Sequence, residues 1–248
     1  MSIPSRDDLA ALIRDKYGGD AGADIAGDVA RLSAGEPLAY VIGWVPFLGL
    51  HVDLGSRPLI PRAETEYWTE VLITHLAKRP QVTLLDLCAG SGAIGLSVLK
   101  HVPGAHVSFG ELELPHAELI RKNIEMNGLD AARALVRRGN LFVPFSGERF
   151  DVIATNPPYI PAGRELDGSV IGYEPPVALF AGAEGIDLID RIAREAAHHL
   201  NPGGELWMEC DIDNIETARE LVLTGGAARA DIRTDQYGRP RTLVGYYA

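Results

Sequence analysis

The tetrapeptide Asn156-Pro157-Pro158-Tyr159 has residue types that can hold a flat amino group, and it directly follows an apolar run over residues 150–155. The nitrogen of such a group is a poor nucleophile until both N–H groups are held, because its lone pair is delocalised onto an sp² carbon. The Asn156 side-chain oxygen and the Pro157 carbonyl can accept these hydrogen bonds and stabilise the charge that develops on nitrogen, while the prolines fix the backbone φ and Tyr159 packs against the group. We therefore predict that Asn156, Pro157 and Tyr159 are catalytic and that Pro158 completes the substrate site. A rigid turn without a ligand is the alternative.

Three glycines, Gly90, Gly92 and Gly95, follow an apolar run over residues 82–87 in the spacing G-x-G-x-x-G. This pattern is typical of dinucleotide-binding enzymes, so NAD is one interpretation. Asp86, however, is expected to face the ligand, where its carboxylate repels a pyrophosphate and attracts a cation. S-adenosylmethionine carries an ammonium and a sulfonium and no phosphate, and glycine lets its amino-acid part lie against bare backbone. We therefore predict S-adenosylmethionine, held by Asp86, Gly90 and Gly92, with a tight turn that binds no ligand as the alternative.

Further candidate cofactor ligands follow the next strands along the chain. Glu111 ends the strand after the glycine turn, where a carboxylate can accept hydrogen bonds from two ribose hydroxyls. Glu113 is the rival for this role, and either residue could instead cap the next helix. Asn140 follows the third strand, where a side-chain amide can bond the adenine edge. We also assign Asn156 to the cofactor site.

Beyond Pro61, apolar strands alternate with amphipathic helices, which predicts an α/β fold with a mostly parallel sheet covered on both faces. The predicted strands cover residues 82–87, 106–110, 134–137, 150–155 and 205–209. The predicted helices cover residues 65–79, 93–100, 115–127 and 186–200. Two last strands, near residues 230–234 and 242–246, form an antiparallel pair, because a parallel return needs a dozen or more residues. The candidate residues then lie at the carboxyl edge of the sheet, where open α/β folds bind ligands.

The amino-terminal part of the chain has a different pattern. Residues 1–35 predict a short helical region, in which Leu9, Leu12 and Ile13 recur at helical spacing. Residues 36–64 predict a β-hairpin connector, because short β-rich stretches are broken by glycine and proline. Residues 65–248 form the remaining domain.

The composition excludes several classes of protein. With 248 residues, the chain can bury a core without disulfides or metals, and Cys88 and Cys210 are too few for a disulfide framework or a Cys-rich zinc site. We therefore predict no metal and a cytoplasmic protein. The 23 Lys and Arg against 34 Asp and Glu give a net charge of −11, so we expect no stable nucleic-acid binding. No apolar run approaches the ~20 residues that span a bilayer, and we expect neither export nor a membrane span.

Several motifs together resemble the HemK-like protein-glutamine methyltransferases, from about residue 31 to the end of the chain. The most specific is the connector motif Pro61-Arg62-Ala63-Glu64-Thr65-Glu66, since many amino-methylating enzymes share Asn-Pro-Pro-Tyr. The others are Glu36-Pro37-Leu38-Ala39-Tyr40 with Gly43, residues 86–92 and 156–159, Tyr173-Glu174-Pro175, and Gly238-Arg239-Pro240-Arg241. The chain departs from the family pattern at Ala63, where proline is usual, at Asn140, where aspartate is usual, and in its shorter amino-terminal region.

The resemblance implies the class I S-adenosylmethionine-dependent methyltransferase fold, a Rossmann-like and mostly parallel seven-stranded sheet with an antiparallel last strand. It implies methylation of the side-chain amide nitrogen of a glutamine, in bacteria that of the Gly-Gly-Gln loop of class 1 peptide chain release factors. By this resemblance, the cofactor is held by Asp86, Gly90, Gly92 and Glu111, and the substrate amide is held by Asn156 and Pro157. Glu174 and Pro175 lie in a loop that closes over the glutamine, and Arg62 and Glu64–Glu66 border the cofactor pocket.

Four alternatives stay open. The substrate could be a glutamine of a ribosomal protein, or the amino group of adenine in DNA or RNA, which poses the same chemical problem. The chain could also be a cofactor-binding scaffold without catalysis. An NAD oxidoreductase is the interpretation that the glycine spacing alone would favour.

Overall fold

A computed structural model describes residues 3–248 of the chain. Its strands are β1 Trp44–Phe47, β2 Leu50–Asp53, β3 Val82–Leu87, β4 Ala105–Glu111, β5 Ala134–Arg138, β6 Phe150–Thr155, β7 Leu200–Glu209, β8 Arg229–Thr234 and β9 Pro240–Tyr246. Its α-helices are α1 Arg6–Lys16, α2 Ala26–Ser33, α3 Leu38–Ile42, α4 Ala63–Leu76, α5 Ala93–His101, α6 Leu114–Met126, α7 Gly168–Tyr173, α8 Asp187–Ala196 and α9 Ile215–Thr224. None of the helices in this described part is long and apolar enough to cross a membrane.

Strands β3 to β9 form one sheet in the order β5-β4-β3-β6-β7-β9-β8. The neighbours from β5 to β7 are parallel, and β9 pairs antiparallel with both β7 and β8. The predicted parallel sheet with an antiparallel last pair is therefore confirmed. The chain moves outward in one direction through β4 and β5 and then returns to place β6 on the other side of β3. This reversal opens a crevice at the carboxyl ends of β3 and β6, where ligands bind in open α/β sheets.

Apolar layers cover both faces of the sheet. Because side chains alternate along a strand, Leu84 of β3 packs in one layer with α4, α5 and α6, whereas Leu85 and Leu87 pack in the other with α8 and α9. Trp207 and Met208 divide in the same way on β7. The central strands thus lie between two cores, and their carboxyl ends are held rigidly.

The amino-terminal helices confirm the predicted helical start, but the connector differs from its prediction. Ser5 and Asp8 form a capping box at the start of α1, and a small apolar core joins α1, α2 and α3 around Leu12. The predicted hairpin is present as β1 and β2, which pair antiparallel. The prediction that the connector begins with β-rich stretches was wrong, because residues 38–42 form α3. This helix ends at Gly43, whose φ is 99°. The division of the chain into three regions stays a prediction.

Besides α3, two further helices were not anticipated. In α9, Ile215, Ala218 and Val222 bury one face at helical spacing against the sheet. The six-residue α7 is too short for such a pattern to show in the sequence. The predicted helix over residues 186–200 is also too long, because α8 ends at Ala196 and residue 200 already pairs with β6.

Candidate functional site

The glycine turn and the proline-rich tetrapeptide begin next to each other at the crevice. Leu87 of β3 pairs with Thr155 of β6, and the Thr155 hydroxyl donates a hydrogen bond of 2.7 Å to the Leu87 carbonyl. The next residue of each strand leads directly into its motif. The parallel register therefore brings the two predicted halves of the site together.

The turn after β3 has the backbone that its glycines predict. Gly90 and Gly92 have φ values of 56° and 82°, in the left-handed region that favours glycine, and Gly92 lies at the N-cap of α5. Gly90 lines an open cavity of about 740 Å³ at the carboxyl edge of the sheet. A ligand in this cavity can therefore lie against bare backbone.

The predicted site residues divide into two groups around this cavity. Those that line it are Gly90, Glu111, Asn140, Asn156 and Pro158. Those that do not line it are Asp86, Gly92, Pro157, Tyr159, Glu174 and Pro175. The members of the first group come from the ends of β3, β4, β5 and β6, so one cavity unites the ends of four neighbouring strands.

Asp86 does not face the cavity, in contrast to the prediction. Its side chain is fully buried, with Oδ2 accepting a hydrogen bond of 2.8 Å from the Gly95 N–H in the first turn of α5. Within residues 3–248, Oδ1 has no hydrogen-bond partner. Burial raises the pKa of Asp86 to about 8, and the charge of Glu111 adds to this effect. The physical reason for its position is strand alternation, which places Asp86 on the same face as Leu84, under α5.

Glu111 has the geometry of a bidentate acceptor. The side chain is 7% exposed and lines the cavity. Its Oε2 accepts from the Gly90 N–H at 2.7 Å, and its Oε1 accepts from the Glu113 N–H at 2.9 Å. These backbone bonds fix the carboxylate and leave each oxygen able to accept once more. Glu113 also lines the cavity, but its side chain is exposed.

The amides of Asn140 and Asn156 lie on the cavity wall. Asn140 Oδ1 accepts a hydrogen bond of 3.3 Å from Arg191, which holds the loop after β5 near α8. Asn156 Nδ2 donates to the Thr65 hydroxyl at 3.2 Å. Among residues 3–248, no protein group donates to Asn156 Oδ1. The Asn156 side chain therefore offers the cavity a free acceptor.

A buried carboxylate that the sequence analysis did not assign lies behind Asn156. Glu209, at the end of β7, is 2% exposed, and its Oε2 accepts from the Thr65 hydroxyl at 2.6 Å and from Trp68 Nε1 at 2.8 Å. Its Oε1 accepts from the Tyr159 hydroxyl at 3.1 Å. Burial raises the pKa of Glu209, and these three donors act to lower it. The available signal was a carboxylate directly after the apolar run Leu206-Trp207-Met208.

Glu174 holds the connector rather than lining the cavity. The carboxylate is buried, and its oxygens accept from Arg62 Nη2 at 2.5 Å and from the Ile60 N–H at 3.1 Å. The neighbouring acids of the connector motif also have protein partners, since Glu64 pairs with Arg239 at 2.6 Å and Glu66 accepts from the Leu48 N–H at 2.7 Å. These charged groups therefore join the connector motif to the segments around Leu48, Glu174 and Arg239. Contact of Glu174 and Pro175 with a substrate stays a prediction.

Metal ligands do not cluster in the described part of the chain. Within residues 3–248, no group of three or more His, Cys, Asp or Glu side chains is placed to hold a metal ion. The site is built from backbone, amide and carboxylate groups.

The sequence also matches known methyltransferases. Residues 61–213 match the family described as "Methyltransferase small domain". The "Release factor glutamine methyltransferase" of Xylella fastidiosa is 35% identical over 218 residues, covering 88% of this chain and 78% of that protein. The protein of the same name from Deinococcus radiodurans is 33% identical, with 92% and 80% covered.

A solved structure shows the same fold at low sequence identity. The 16S rRNA N2 G1207 methyltransferase of Thermus thermophilus, in complex with AdoMet and guanosine, superposes with a TM-score of 0.60 at 21% identity, over 83% of this chain and 50% of that one. The predicted class I methyltransferase fold is thereby confirmed. From the sequence identities and their coverage, the chain belongs to the release factor glutamine methyltransferase family.

Proposed function

We propose that this protein transfers the methyl group of S-adenosylmethionine to the side-chain amide nitrogen of a glutamine in a peptide chain release factor. The observation that carries the proposal is the free Asn156 Oδ1, which shares one cavity with Gly90 and Glu111. An acceptor for N–H groups and the residues suited to a nucleoside cofactor thus lie in the same space. The names of the relatives supply the protein substrate.

The residues of the cavity fit S-adenosylmethionine better than a dinucleotide. Glu111 can accept both ribose hydroxyls, and Asp86 and Glu111 interact electrostatically through the protein. A phosphate group beside the Glu111 carboxylate is repelled, whereas an ammonium or sulfonium is attracted. When bound, the cofactor supplies an electrophilic methyl group. Asn140 at the cavity wall is our candidate for the adenine edge.

The protein contributes orientation and electrostatics to the reaction. Asn156 Oδ1 and the Pro157 carbonyl hold the two N–H groups of the substrate amide, so that the nitrogen lone pair becomes available for attack. A nitrogen–carbon bond forms as the carbon–sulfur bond breaks, and the amide nitrogen then loses a proton to water. The two oxygens stabilise the positive charge on nitrogen in the transition state, which is where preorganised dipoles act most strongly. No general base is needed.

The acidic surface favours a basic protein loop over a nucleic acid as substrate. The net charge is −11, and nucleic-acid binding depends on cations that neutralise phosphates. A release factor loop that works against ribosomal RNA is expected to be basic, and opposite charges steer association. Because this substrate acts in translation, we place the reaction in the cytoplasm. A ribosomal protein remains the second candidate substrate.

A labelling assay tests the proposal. Purified protein, S-adenosylmethionine with a labelled methyl group, and release factor are incubated, and label should appear on the wild-type factor but not on a variant in which the Gly-Gly-Gln glutamine is alanine. Asn156→Ala should lower kcat about a hundred- to a thousandfold, as loss of one oxyanion-hole donor does elsewhere. Label that persists on the alanine substrate, or that appears only on ribosomal protein or nucleic acid offered in parallel, refutes the release factor assignment.

A further inference from the structure

One chain of hydrogen bonds connects the buried Glu209 carboxylate to the wall of the cavity. Thr65 donates to Glu209 at 2.6 Å, and Asn156 Nδ2 donates to Thr65 at 3.2 Å. Thr65 and Glu209 are 4% and 2% exposed, so water does not compete for these bonds. The three side chains come from α4, from β7 and from the residue after β6, and hydrogen bonds inside a protein are stronger than the same bonds in water.

The Glu209 carboxylate, at the buried end of this series of hydrogen bonds, determines which group donates and which accepts at each step. Trp68 Nε1 can only donate, and it donates to the same Glu209 oxygen as Thr65 at 2.8 Å. The Thr65 hydroxyl has a single proton, which it gives to Glu209. Its oxygen can therefore only accept from Asn156, and the Asn156 group that faces it must be the NH₂.

This direction decides what Asn156 presents to the cavity. With the NH₂ bound to Thr65, the Oδ1 is turned to the open side. Turned by 180°, the amide would place its NH₂ against the NH₂ of a substrate amide, where two donors meet and no hydrogen bond forms. The two orientations have nearly the same shape, so packing alone separates them poorly.

We propose that Glu209 and Thr65 are positioning residues, which fix the Asn156 amide so that an acceptor meets the substrate nitrogen. The inference rests on the proposed function and adds two residues to its machinery. Tyr159 has a related role, because its hydroxyl donates to the other Glu209 oxygen and holds the carboxylate in place. Thr65 lies in the connector motif, which gives that motif a part in positioning the acceptor.

A set of threonine variants tests the inference. Thr65→Val keeps the shape but removes the hydroxyl, which leaves the Asn156 NH₂ without its buried partner. It should lower kcat for release factor methylation about ten- to a hundredfold, in line with the cost of an unmade buried hydrogen bond. The KM for the factor and the Kd for S-adenosylmethionine should stay within about twofold of wild type, because Thr65 does not line the cavity. Thr65→Ser keeps a hydroxyl and should restore kcat to within about threefold.

Thr69→Val is the matched control. Thr69 lies one turn further along α4, is equally buried, and donates its hydroxyl to the Thr65 carbonyl without contact to Glu209 or Asn156. It should lose a similar amount of stability in thermal unfolding but keep kcat near the wild-type value. An equal loss of kcat in both valine variants refutes the inference.

Variants at the other two positions give independent readouts. Glu209→Gln should retain most of kcat, because its amide oxygen can still accept from Thr65 and Trp68 and its NH₂ can face the Tyr159 hydroxyl oxygen. Glu209→Ala has no acceptor and should lose as much kcat as Thr65→Val. In an Asn156→Asp background both side-chain oxygens accept, so Thr65→Val should cost less than about threefold there. If the wild-type protein methylates the release factor but the variants do not differ from it in these ways, the inference is refuted and the proposed function stands. If the wild-type protein does not methylate the factor, both are refuted.

Discussion

Glu111 offers the sharpest test of how the cofactor is held. Both carboxylate oxygens are fixed by backbone N–H groups, of Gly90 at 2.7 Å and of Glu113 at 2.9 Å, and each keeps one lone pair for a ribose hydroxyl. In Glu111→Gln, the new NH₂ must face one of these backbone donors whichever way the amide is turned. One hydroxyl contact is then lost and the other is weakened by removal of the charge.

The expected change in the Kd for S-adenosylmethionine follows from the energy of a hydrogen bond to a charged group. Such bonds contribute about 1.5–3 kcal/mol, so a loss of about 2 kcal/mol should raise the Kd for S-adenosylmethionine roughly thirtyfold. Isothermal titration calorimetry with purified protein measures this change. Glu113→Gln is the control, since that side chain is exposed on the same cavity wall, and its Kd should stay within about twofold of wild type.

A ligand without one ribose hydroxyl separates direct contact from disturbance of the glycine turn. S-adenosylhomocysteine and its 2′-deoxy analogue should differ in affinity for the wild-type protein by about 1.5–3 kcal/mol, and by much less for Glu111→Gln. An equal cost of deoxygenation in both proteins would show that Glu111 does not bind the ribose. A higher Kd in Glu113→Gln together with an unchanged Kd in Glu111→Gln would show that Glu113, and not Glu111, binds the ribose.

Three further predictions concern buried groups around the site. Because burial raises the pKa of Asp86 to about 8, this carboxyl is protonated at pH 7 in the free protein. A cationic ligand favours its ionisation, so binding of S-adenosylmethionine at pH 7 should release a proton. Calorimetry in buffers of different ionisation enthalpy should detect this proton release with the wild-type protein and not with Asp86→Asn. Glu174→Ala removes the hydrogen bonds to Arg62 and to the Ile60 N–H, and because Arg62 stays partly in contact with water it should lower the free energy of unfolding by about 1–3 kcal/mol in urea titrations; no loss would show that the ion pair does not hold the connector. In Gly95→Ala the new Cβ would clash with the Phe109 ring of β4, and the substitution should destabilise the protein by about 1–3 kcal/mol. Gly27→Ala, in an open position of α2, should stabilise it by about 0.5–1 kcal/mol, and thermal unfolding can check both values.

The sheet could be predicted because its evidence is local. The strand over residues 150–155 is mostly apolar, and the glycine turn and the Asn-Pro-Pro-Tyr tetrapeptide each follow such a strand directly. The ends of parallel strands meet at one edge, so the placement of Gly90, Glu111 and Asn156 around one cavity follows from topology. The buried face of α9 was present in the sequence at helical spacing and was missed.

The orientation of individual side chains was harder to predict. Asp86 ends a strand that is buried on both faces, and only the pairing of Leu84 with the layer under α5 shows which way the carboxylate points. Thr65 and Glu209 are 144 positions apart, and Thr65 and Asn156 are 91 apart. No local pattern reports a hydrogen bond over such separations, because it forms only once three elements have packed.

The connector motif is more diagnostic than the tetrapeptide because it records these tertiary contacts. Asn-Pro-Pro-Tyr specifies two acceptors for an amino group, a requirement common to amides and nucleobases. Arg62 binds Glu174, Glu64 binds Arg239 and Thr65 binds Glu209, so each links the start of α4 to a different segment beside the crevice. A substitution at any of these positions disturbs a contact that holds the acceptor, the loop above it or the last hairpin. On the proposed function, the residues that position Asn156 therefore include the connector motif as well as the tetrapeptide.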